Sequence, residues 1–205
     1  MTPVAVTSQR RRPVQRRSRE MVDRILEAAA RVLGRQGYAA MSTNRVAAEA
    51  DVSIGSLYRY FNDKAEIVEH LRARVNQEVL AELTEAIFAS LDDDARHGVE
   101  RVLVTLVDAL ERHRGILVAL IDEVPLGSQA NTLPEIERQL TEFTRLFVHR
   151  HAPGMPRDEL DARLYLAMGM TLNACLRIAL ERPEGLDRGR LLELVTEMLV
   201  SGLDG

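Results

Sequence analysis

Apolar residues recur every three or four positions along most of this chain, which predicts amphipathic helices and not strands. The clearest case follows the acidic run at 92–94, where apolar residues occupy positions 99, 102, 103, 106, 107 and 110. The spacing i, i+3, i+4, i+7, i+8, i+11 keeps these side chains on one helical face. The pattern therefore predicts an all-α fold.

Two short helical patterns meet across a turn within residues 42–64. Ser42 or Thr43 can cap the first helix and Ser53 can cap the second, because their hydroxyls accept hydrogen bonds from the free amides of a helix start. Leu57 and Phe61 share one face of the second helix at i, i+4 and are expected to be core. The arrangement predicts a helix-turn-helix.

Longer helices are expected on both sides of this motif. Ser18 can cap a helix that runs to about Gln36 and stops at Gly37. A capping box at 63–66 begins a helix that continues to about Leu91 and connects the two halves of the chain. The first of these helices would brace the helix-turn-helix, and the second would act as a mechanical link.

The C-terminal half shows further helical patterns. One helix is expected to end at Gly115, and others are expected over 116–124, from about 133 to 151, and over 158–182 and 190–203. The 158–182 helix is apolar nearly all round between 164 and 180, so it must be covered on several sides. The last helix has two apolar faces, one suited to the core and one to a partner. By spacing alone, the last two helices could form a four-helix bundle between two subunits.

Charge divides the chain into a basic and an acidic part. Residues 1–75 hold 14 Lys and Arg against 8 Asp and Glu, a net charge of +6, and residues 76–205 hold 13 against 23, a net charge of −10. A basic part suits contact with phosphates, which repel an acidic one. We therefore expect a DNA-binding domain over 18–62 and a separate helical domain over 63–205.

The first 17 residues form a basic arm in this prediction. They contain arginines at positions 10–12, 16 and 17, prolines at 3 and 13, and too few apolar residues to pack, which predicts disorder. The arm either touches phosphates or an adjacent minor groove, or is a solvated tail.

Several classes of function lack support in the sequence. The single cysteine, Cys175, cannot form an internal disulfide, which fits a reducing cytoplasm, and no apolar run approaches the ~20 residues that span a bilayer. His149 and His151 would point to different faces of a helix, so no metal site is expected. Glycine-rich phosphate loops and nucleophile-elbow spacing are absent, so no cofactor or enzymatic activity is expected.

The residues from Thr43 to Lys64 resemble the DNA-binding signature of the TetR family of bacterial transcriptional regulators. The matching positions are Thr43, Val46, Ala47, Ala50, Val52, Ser53, Gly55, Leu57, Tyr58, Arg59, Tyr60, Phe61 and Lys64. Asp51 stands where the family generally has a turn glycine, and Asp can adopt the left-handed geometry at modest cost. Ile54 stands where a lysine or another polar residue is common.

The resemblance and side-chain chemistry together give the expected DNA contacts. These are Ser42, Thr43, Asn44, Arg45, Ile54, Gly55, Ser56, Tyr58, Arg59, Tyr60 and Lys64. Hydroxyl, amide and guanidinium groups bind phosphates and base edges, tyrosine rings pack on thymine methyls or sugars, and glycine lets the backbone approach DNA closely. Lys64 opposes the helix dipole in the first turn of its helix, and the resemblance implies a phosphate there.

The resemblance also implies that the C-terminal helices bind a small molecule and form the dimer. Candidate lining residues are Leu106, His113, Phe143, Phe147, Tyr165, Met168, Met170, Thr171, Asn173 and Cys175. Met and Phe at this spacing equally fit a plain core, and Cys175 equally fits a small buried hydrophobe. His113 and Asn173 are favoured, because a polar group on an apolar face needs a partner.

The leading hypothesis is a repressor that binds a palindromic DNA operator as a homodimer and is released by a small-molecule inducer. One alternative is an all-α enzyme that uses Asp122, Glu123 or His113 as acid/base groups. Another is a DNA-binding architectural or adaptor protein without a ligand. A filled C-terminal core favours the adaptor, whereas a cavity of roughly a few hundred Å³ favours the sensor.

Overall fold

The computed structural model describes residues 12–123, 133–151 and 154–202, and all regular structure in these ranges is α-helical. The helices are α1 (Arg12–Ala40), α2 (Thr43–Glu49), α3 (Ile54–Tyr58), α4 (Lys64–Ser90), α5 (Ala95–Arg112), α6 (Arg114–Glu123), α7 (Leu133–His151), α8 (Arg157–Leu180) and α9 (Arg188–Ser201). The all-α prediction is confirmed. No helix in the described ranges is long and apolar enough to cross a membrane.

Side-chain caps fix where five of these helices begin. The capping residues are Ser42 for α2, Ser53 for α3, Asp63 for α4, Asp94 for α5 and Asp187 for α9. Each accepts a hydrogen bond from an amide of the first turn, as Asp63 Oδ1 does from the Glu66 amide at 2.8 Å. Each such cap contributes roughly 1 kcal/mol, so local sequence determines these helix starts.

Helix α1 begins earlier than the capping pattern predicts. It starts at Arg12, so residues 12–17 are helical where a disordered arm was expected, and residues 1–11 lie outside the described residues. Pro13 is tolerated in a first turn, and Arg16 Nε donates to Glu20 Oε1 at 2.8 Å across one helical turn. Gly37, at φ 73°, interrupts α1 where the sequence predicts its end.

Two hydrophobic cores share α4. The first combines α1, α2, α3 and the start of α4, where Ile67, Val68 and Leu71 are buried. The second combines the rest of α4, from Val75 to Ile87, with α5, α7, α8 and α9. The first core therefore uses residues on both sides of the expected domain limit at 62, and α4 joins the two cores as one continuous helix.

Helices α1 and α6 cross closely at two glycines. The sequence predicts a helix end at Gly115, but α5 ends at Arg112, His113 caps it, and Gly115 lies inside α6. A Cβ on Gly115 would lie 3.4 Å from the Cα of Gly34, so this glycine serves close packing between helices and not termination. We call this crossing the glycine seam. Beside it, Ala119 of α6 is buried in the first core.

Candidate DNA-binding surface and ligand cavity

Helix α3 is anchored by one face and exposed on the others. Leu57 and Phe61 are buried at 0% and 2% exposure, which confirms their predicted core positions. Ile54 and Tyr58 are 37% and 51% exposed, and Arg59 is also exposed. The helix thus presents one apolar, one aromatic and one cationic side chain to a binding partner.

Hydroxyl groups join the start of α2 to α3. Thr43 Oγ1 lies 3.2 Å from the Tyr58 hydroxyl, which holds this ring beside the first turn of α2. The Ser42 hydroxyl accepts from an amide of that turn, and Asn44 is exposed next to it. The predicted contacts Thr43, Asn44 and Tyr58 therefore lie together on one surface.

The other predicted α3 contacts differ in how they are held. Ser56 Oγ lies 2.8 Å from Ser53 Oγ, so its hydroxyl already has a partner in the helix cap. Tyr60 is half-buried against the first core, with the Arg59 guanidinium 6.0 Å from its ring centroid. Gly55 is exposed, and a Cβ placed on it would meet nothing within 4 Å. The fold leaves open space at this glycine.

The turn between α2 and α3 has the expected left-handed residue. Asp51 adopts φ 53°, the only positive φ of a non-glycine residue in the described ranges. Arg24 of α1 donates from Nη2 to the carbonyl oxygens of Ala50 and Asp51, each at 2.9 Å. A cation at the end of α2 satisfies free carbonyls and complements the helix dipole, so α1 braces the turn as predicted.

A carboxylate on α2 provides a second connection to α1. Glu49 accepts from Arg31 Nε at 2.7 Å and from Arg35 Nη2 at 2.5 Å. These hydrogen bonds, first from Arg31 and then from Arg35, lower the pKa of Glu49. Three of the basic residues of α1 thus hold the helix-turn-helix in place, which is why the net charge alone overstates the cations available to DNA.

Arg45 has partners within the protein. Its Nη1 donates to Gln36 Oε1 at 2.9 Å and to the Ala40 carbonyl oxygen at 2.6 Å. The sequence predicts a contact of this residue with phosphate or a base, and the structure adds hydrogen bonds that connect the end of α1 to α2. The side chain is exposed, so its remaining donors face solvent.

Lys64 also connects helix ends. Its ammonium donates to the carbonyl oxygens of Tyr38 at 3.0 Å and Met41 at 3.3 Å, and lies 4.1 Å from the Tyr38 ring centroid. These contacts explain a cation in the first turn of α4, where the sequence alone suggested a phosphate. They leave one of the three ammonium donors for another partner.

A cavity of about 320 Å³ lies in the second core, between α5, α7, α8 and α9. Its wall includes five of the predicted lining residues, namely Leu106, Phe147, Met168, Met170 and Thr171. Small-molecule sites commonly start at roughly 300 Å³ and are lined mainly by apolar side chains. The second core is therefore not filled, and the volume and lining suit a small apolar molecule.

Four of the predicted lining residues lie elsewhere. Tyr165 and Asn173 are exposed on the outer face of α8, Tyr165 at 81%, because α8 is apolar nearly all round and its sequence does not show which face meets the cavity. Cys175 is buried away from the cavity, and His113 sits at the junction of α5 and α6. The Phe143 side chain lies outside the described residues.

Burial shifts the ionisation of two of these residues. Desolvation raises the pKa of the Cys175 thiol to about 12, which makes it a poor nucleophile and redox sensor. Desolvation also lowers the pKa of His113, against the opposing effect of Glu78, whose Oε2 lies 3.4 Å from His113 Nε2. Neither residue lines the cavity.

Two polar residues of the cavity wall were missed in the sequence analysis. Arg163 lines the cavity, with its Nε donating to Glu159 Oε1 at 2.6 Å and its Nη1 to the carbonyl oxygen of Gly202. Thr144 also lines it and donates to the Leu140 carbonyl at 2.7 Å. Thr144 follows Leu140 by one turn on the predicted stripe of α7, so helical spacing could have revealed it.

The outer faces of α8 and α9 carry an exposed apolar surface. Tyr165, Leu166 and Met170 on α8 are 81%, 62% and 57% exposed, and Leu194 and Met198 on α9 are 38% and 60% exposed. We call these five residues the α8–α9 face. Grouped large apolar side chains on a protein surface commonly mark a contact with another protein. Leu166, Met170 and Met198 also line the cavity, so this face borders its opening.

The residues proposed for acid/base chemistry do not form a described site. The side chains of Asp122 and Glu123 lie outside the described residues, and His113 contacts Glu78 in a packing role. Within the described ranges, no group of three or more His, Cys, Asp or Glu could hold a metal ion.

This architecture, with an exposed second helix on a braced helix-turn-helix and a separate helical domain, is that of a helix-turn-helix DNA-binding regulator. Two family models match the chain: bacterial regulatory proteins of the tetR family over residues 25–71, and the tetracyclin repressor-like C-terminal domain over residues 94–203. The chain belongs to the TetR family of bacterial transcriptional regulators. The resemblance drawn from Thr43 to Lys64 is confirmed.

Individual relatives are distant but cover most of the chain. The HTH-type transcriptional repressor KstR of Mycobacterium tuberculosis is 23% identical over 186 residues, which cover 91% of this chain and 83% of KstR. The nucleoid occlusion factor SlmA of Photobacterium profundum is 30% identical over 167 residues, covering 76% and 83%. The crystal structure of a TetR-like regulator from Rhodococcus sp. RHA1 shares the fold at TM-score 0.63 and 19% identity, covering 90% and 96%.

Proposed function

We propose that this protein is a ligand-responsive repressor that binds a palindromic operator as a homodimer in the cytoplasm and is released by a small-molecule inducer. The observation that carries the proposal is the cavity of about 320 Å³ in a domain joined by α4 to an exposed helix-turn-helix. The relative KstR is named a transcriptional repressor, which supports repression over activation for this protein.

The DNA-binding role is proposed for the surface formed by α3 and the start of α2. Asn44, Ile54, Gly55, Tyr58 and Arg59 are its exposed positions, so we expect them to make the main contacts. The remaining residues of the sequence prediction would contribute less, because their polar groups already have partners or pack inward. Those residues are Ser42, Thr43, Arg45, Ser56, Tyr60 and Lys64.

The dimer is proposed to form through the α8–α9 face. Two-fold pairing would place two α3 helices on successive major grooves, about 34–36 Å apart, which a palindromic operator requires. The exposed Leu166 and Met170 are one helical turn apart on α8 and border the cavity together with the exposed Met198 of α9. A second copy would bury this apolar surface in a four-helix bundle.

We propose that ligand binding releases the operator through a conformational change transmitted by α4 and the glycine seam. Helix α4 has buried residues in both cores, and α6 packs on α1 at Gly34 and Gly115. A ligand in the cavity would favour a conformer in which α4 tilts and the α3 spacing no longer matches the operator. To move the population from about 1:99 to 99:1, the ligand must prefer that conformer by roughly 5.5 kcal/mol.

A second candidate function is a DNA-binding adaptor that acts without a ligand. The name of the relative SlmA, a nucleoid occlusion factor, describes a role on DNA other than transcription. The cavity in the second core favours the sensor, because a protein without a ligand has no need for this volume. Operator binding that is equal with and without every bound small molecule would favour the adaptor.

Selection of bound DNA from a random pool tests the DNA-binding proposal. We expect enrichment of a palindromic site, whereas failure to enrich any site would refute it. Gly55→Leu is the informative variant, since a Cβ there meets no protein atom within 4 Å, so we expect the fold to be retained while the DNA approach is blocked. Gly154→Leu is the matched control, because Gly154 is equally open and lies outside the helix-turn-helix.

Sedimentation equilibrium tests the proposed dimer. Tyr165→Glu places a charge on the α8–α9 face without altering the cavity wall, and we expect it to convert the dimer to a monomer. Phe88→Glu is the control, because Phe88 is 68% exposed on α4 and lies outside this face. A Tyr165→Glu variant that stays dimeric would move the interface elsewhere.

A further inference from the structure

One residue of the cavity wall, Thr171, has a buried hydroxyl without a partner. Thr171 of α8 is 7% exposed, and its Oγ1 makes no hydrogen bond to the protein. A threonine in a helix ordinarily donates to the carbonyl four residues earlier, as Thr144 does here to Leu140. Leaving a buried hydroxyl unpaired costs about 1–3 kcal/mol. The free protein therefore carries an unsatisfied polar group at a position where valine would fit without it.

The rest of the wall indicates where the ligand body lies. Along α8, Arg163, Ala167 and Thr171 follow one another at i, i+4, i+8, so they lie on one face over about 12 Å. Ala167 is small and leaves space between the two polar residues. Opposite this face, α5 contributes only apolar side chains to the wall, from Val99 to Leu106. The lining is mainly apolar, and Thr171 is the last residue that α8 contributes to it.

The positive charge of Arg163 is already balanced by a carboxylate. Its guanidinium already donates to the Glu159 carboxylate and to the carbonyl oxygen of Gly202 at the end of α9. A ligand carboxylate would have to compete with Glu159 and would place a second negative charge beside it, which like-charge repulsion disfavours. The electrostatics at this end of the cavity therefore favour an uncharged ligand.

We propose that the cavity binds an uncharged, mainly apolar molecule with one hydroxyl or carbonyl oxygen that pairs with the Thr171 hydroxyl. This inference rests on the proposed ligand-responsive function and names the class of its inducer. A cavity of about 150 Å³ holds one benzene, so 320 Å³ suits roughly twice as many non-hydrogen atoms, about a dozen. Neutral aromatic or lipid-like alcohols and ketones of this size fit the description.

Three probes with one apolar body test the proposal on the full-length protein. Biphenyl, 4-phenylphenol and biphenyl-4-carboxylate have about the expected size and differ only in the oxygen function. By calorimetric or fluorescence titration, we expect 4-phenylphenol to bind about threefold to tenfold more tightly than biphenyl, as one net hydrogen bond implies. The carboxylate should bind more weakly than 4-phenylphenol.

The variant Thr171→Val isolates the hydroxyl. It should remove the preference for 4-phenylphenol over biphenyl and leave biphenyl binding unchanged. Because it also removes an unsatisfied group, the free variant should unfold at an equal or higher urea concentration than the parent, which shows that it folds. Thr144→Val is the matched control, because the Thr144 hydroxyl is already bonded within its helix and the preference should persist.

Other outcomes would overturn the proposal. Equal binding of biphenyl and 4-phenylphenol by the parent, or an unchanged preference in Thr171→Val, would show that the hydroxyl takes no part. Tightest binding of the carboxylate, lost in Arg163→Leu, would show that the cavity is built for an acid. These titrations use the protein without DNA, so their failure is separate from a failure to enrich an operator.

Discussion

Replacing Lys64 by methionine should destabilise the protein through the junction of α1 and α4. The ammonium of Lys64 donates to two carbonyl oxygens, those of Tyr38 and Met41, and lies 4.1 Å from the Tyr38 ring centroid. A hydrogen bond from a charged group is worth about 1.5–3 kcal/mol when buried, and an exposed cation–π contact about 0.5–1 kcal/mol. Lys64→Met keeps the aliphatic stem but removes all three contacts.

The net effect is smaller than the sum of these contacts. Lys64 is half-buried, so water replaces part of the lost hydrogen bonding, and removing a cation from the first turn of α4 relieves about 0.3–1 kcal/mol of unfavourable dipole interaction. We expect a net loss of about 2–3 kcal/mol. At about 2–4 °C per kcal/mol for a chain of this length, the melting temperature should fall by about 4–12 °C.

Thermal unfolding followed by circular dichroism at fixed protein concentration measures this change, and Lys64→Arg is the control that keeps the charge. The salt dependence of operator binding provides the opposing test, because a lost phosphate contact lowers the slope by about 0.9. A Lys64→Met protein that melts like the parent but loses this slope would refute the structural role. It would assign Lys64 to DNA instead.

Three further predictions concern single residues. Asp51→Gly should raise the free energy of unfolding by about 0.5–1 kcal/mol in urea titrations, because glycine adopts φ 53° without strain; a decrease would contradict this. Burial lowers the pKa of His113 in the folded protein, so its contribution to stability is present above the unfolded pKa of about 6.5 and is lost as the pH falls through the lower folded pKa. Replacing His113 by glutamine should therefore reduce the drop in urea midpoint between pH 7.5 and pH 5.5. An identical drop in the parent and the variant would contradict this prediction. Cys175 should resist a thiol reagent at pH 8 until the protein is unfolded, because its pKa is about 12, and rapid native labelling would show that the buried position is wrong.

Local chemistry made much of the fold predictable. Ser42, Ser53 and Asp63 cap the helices that the sequence assigned to them, and Gly37 and Asp51 take the backbone angles expected of a helix stop and a left-handed turn. Each of these features depends on interactions within a few residues. The helix-turn-helix could be located for this reason.

Features that depend on distant parts of the chain were not predictable. Gly115 reads as a helix stop, yet its role is to let α6 approach Gly34, 81 positions earlier in the chain (115 − 34). Tyr165 and Asn173 lie on a helix that is apolar nearly all round, so only tertiary packing decides whether they face the cavity or solvent. The hydrogen bonds that Arg45 and Lys64 make to the end of α1 could not be predicted for the same reason.

The contribution of α6 to the first core limits how regulators of this kind can be recombined. Consider a hybrid in which the DNA-binding domain of another protein replaces residues up to 62. In this hybrid the native Leu71 would lose its packing partners Leu57 and Phe61, and the native Ala119 would pack against the α1 helix of the other protein. The graft should instead extend through Leu71 and retain small residues at positions 34 and 115. Exchange of DNA-binding domains among distant relatives is therefore constrained by two glycines that lie outside the cavity wall.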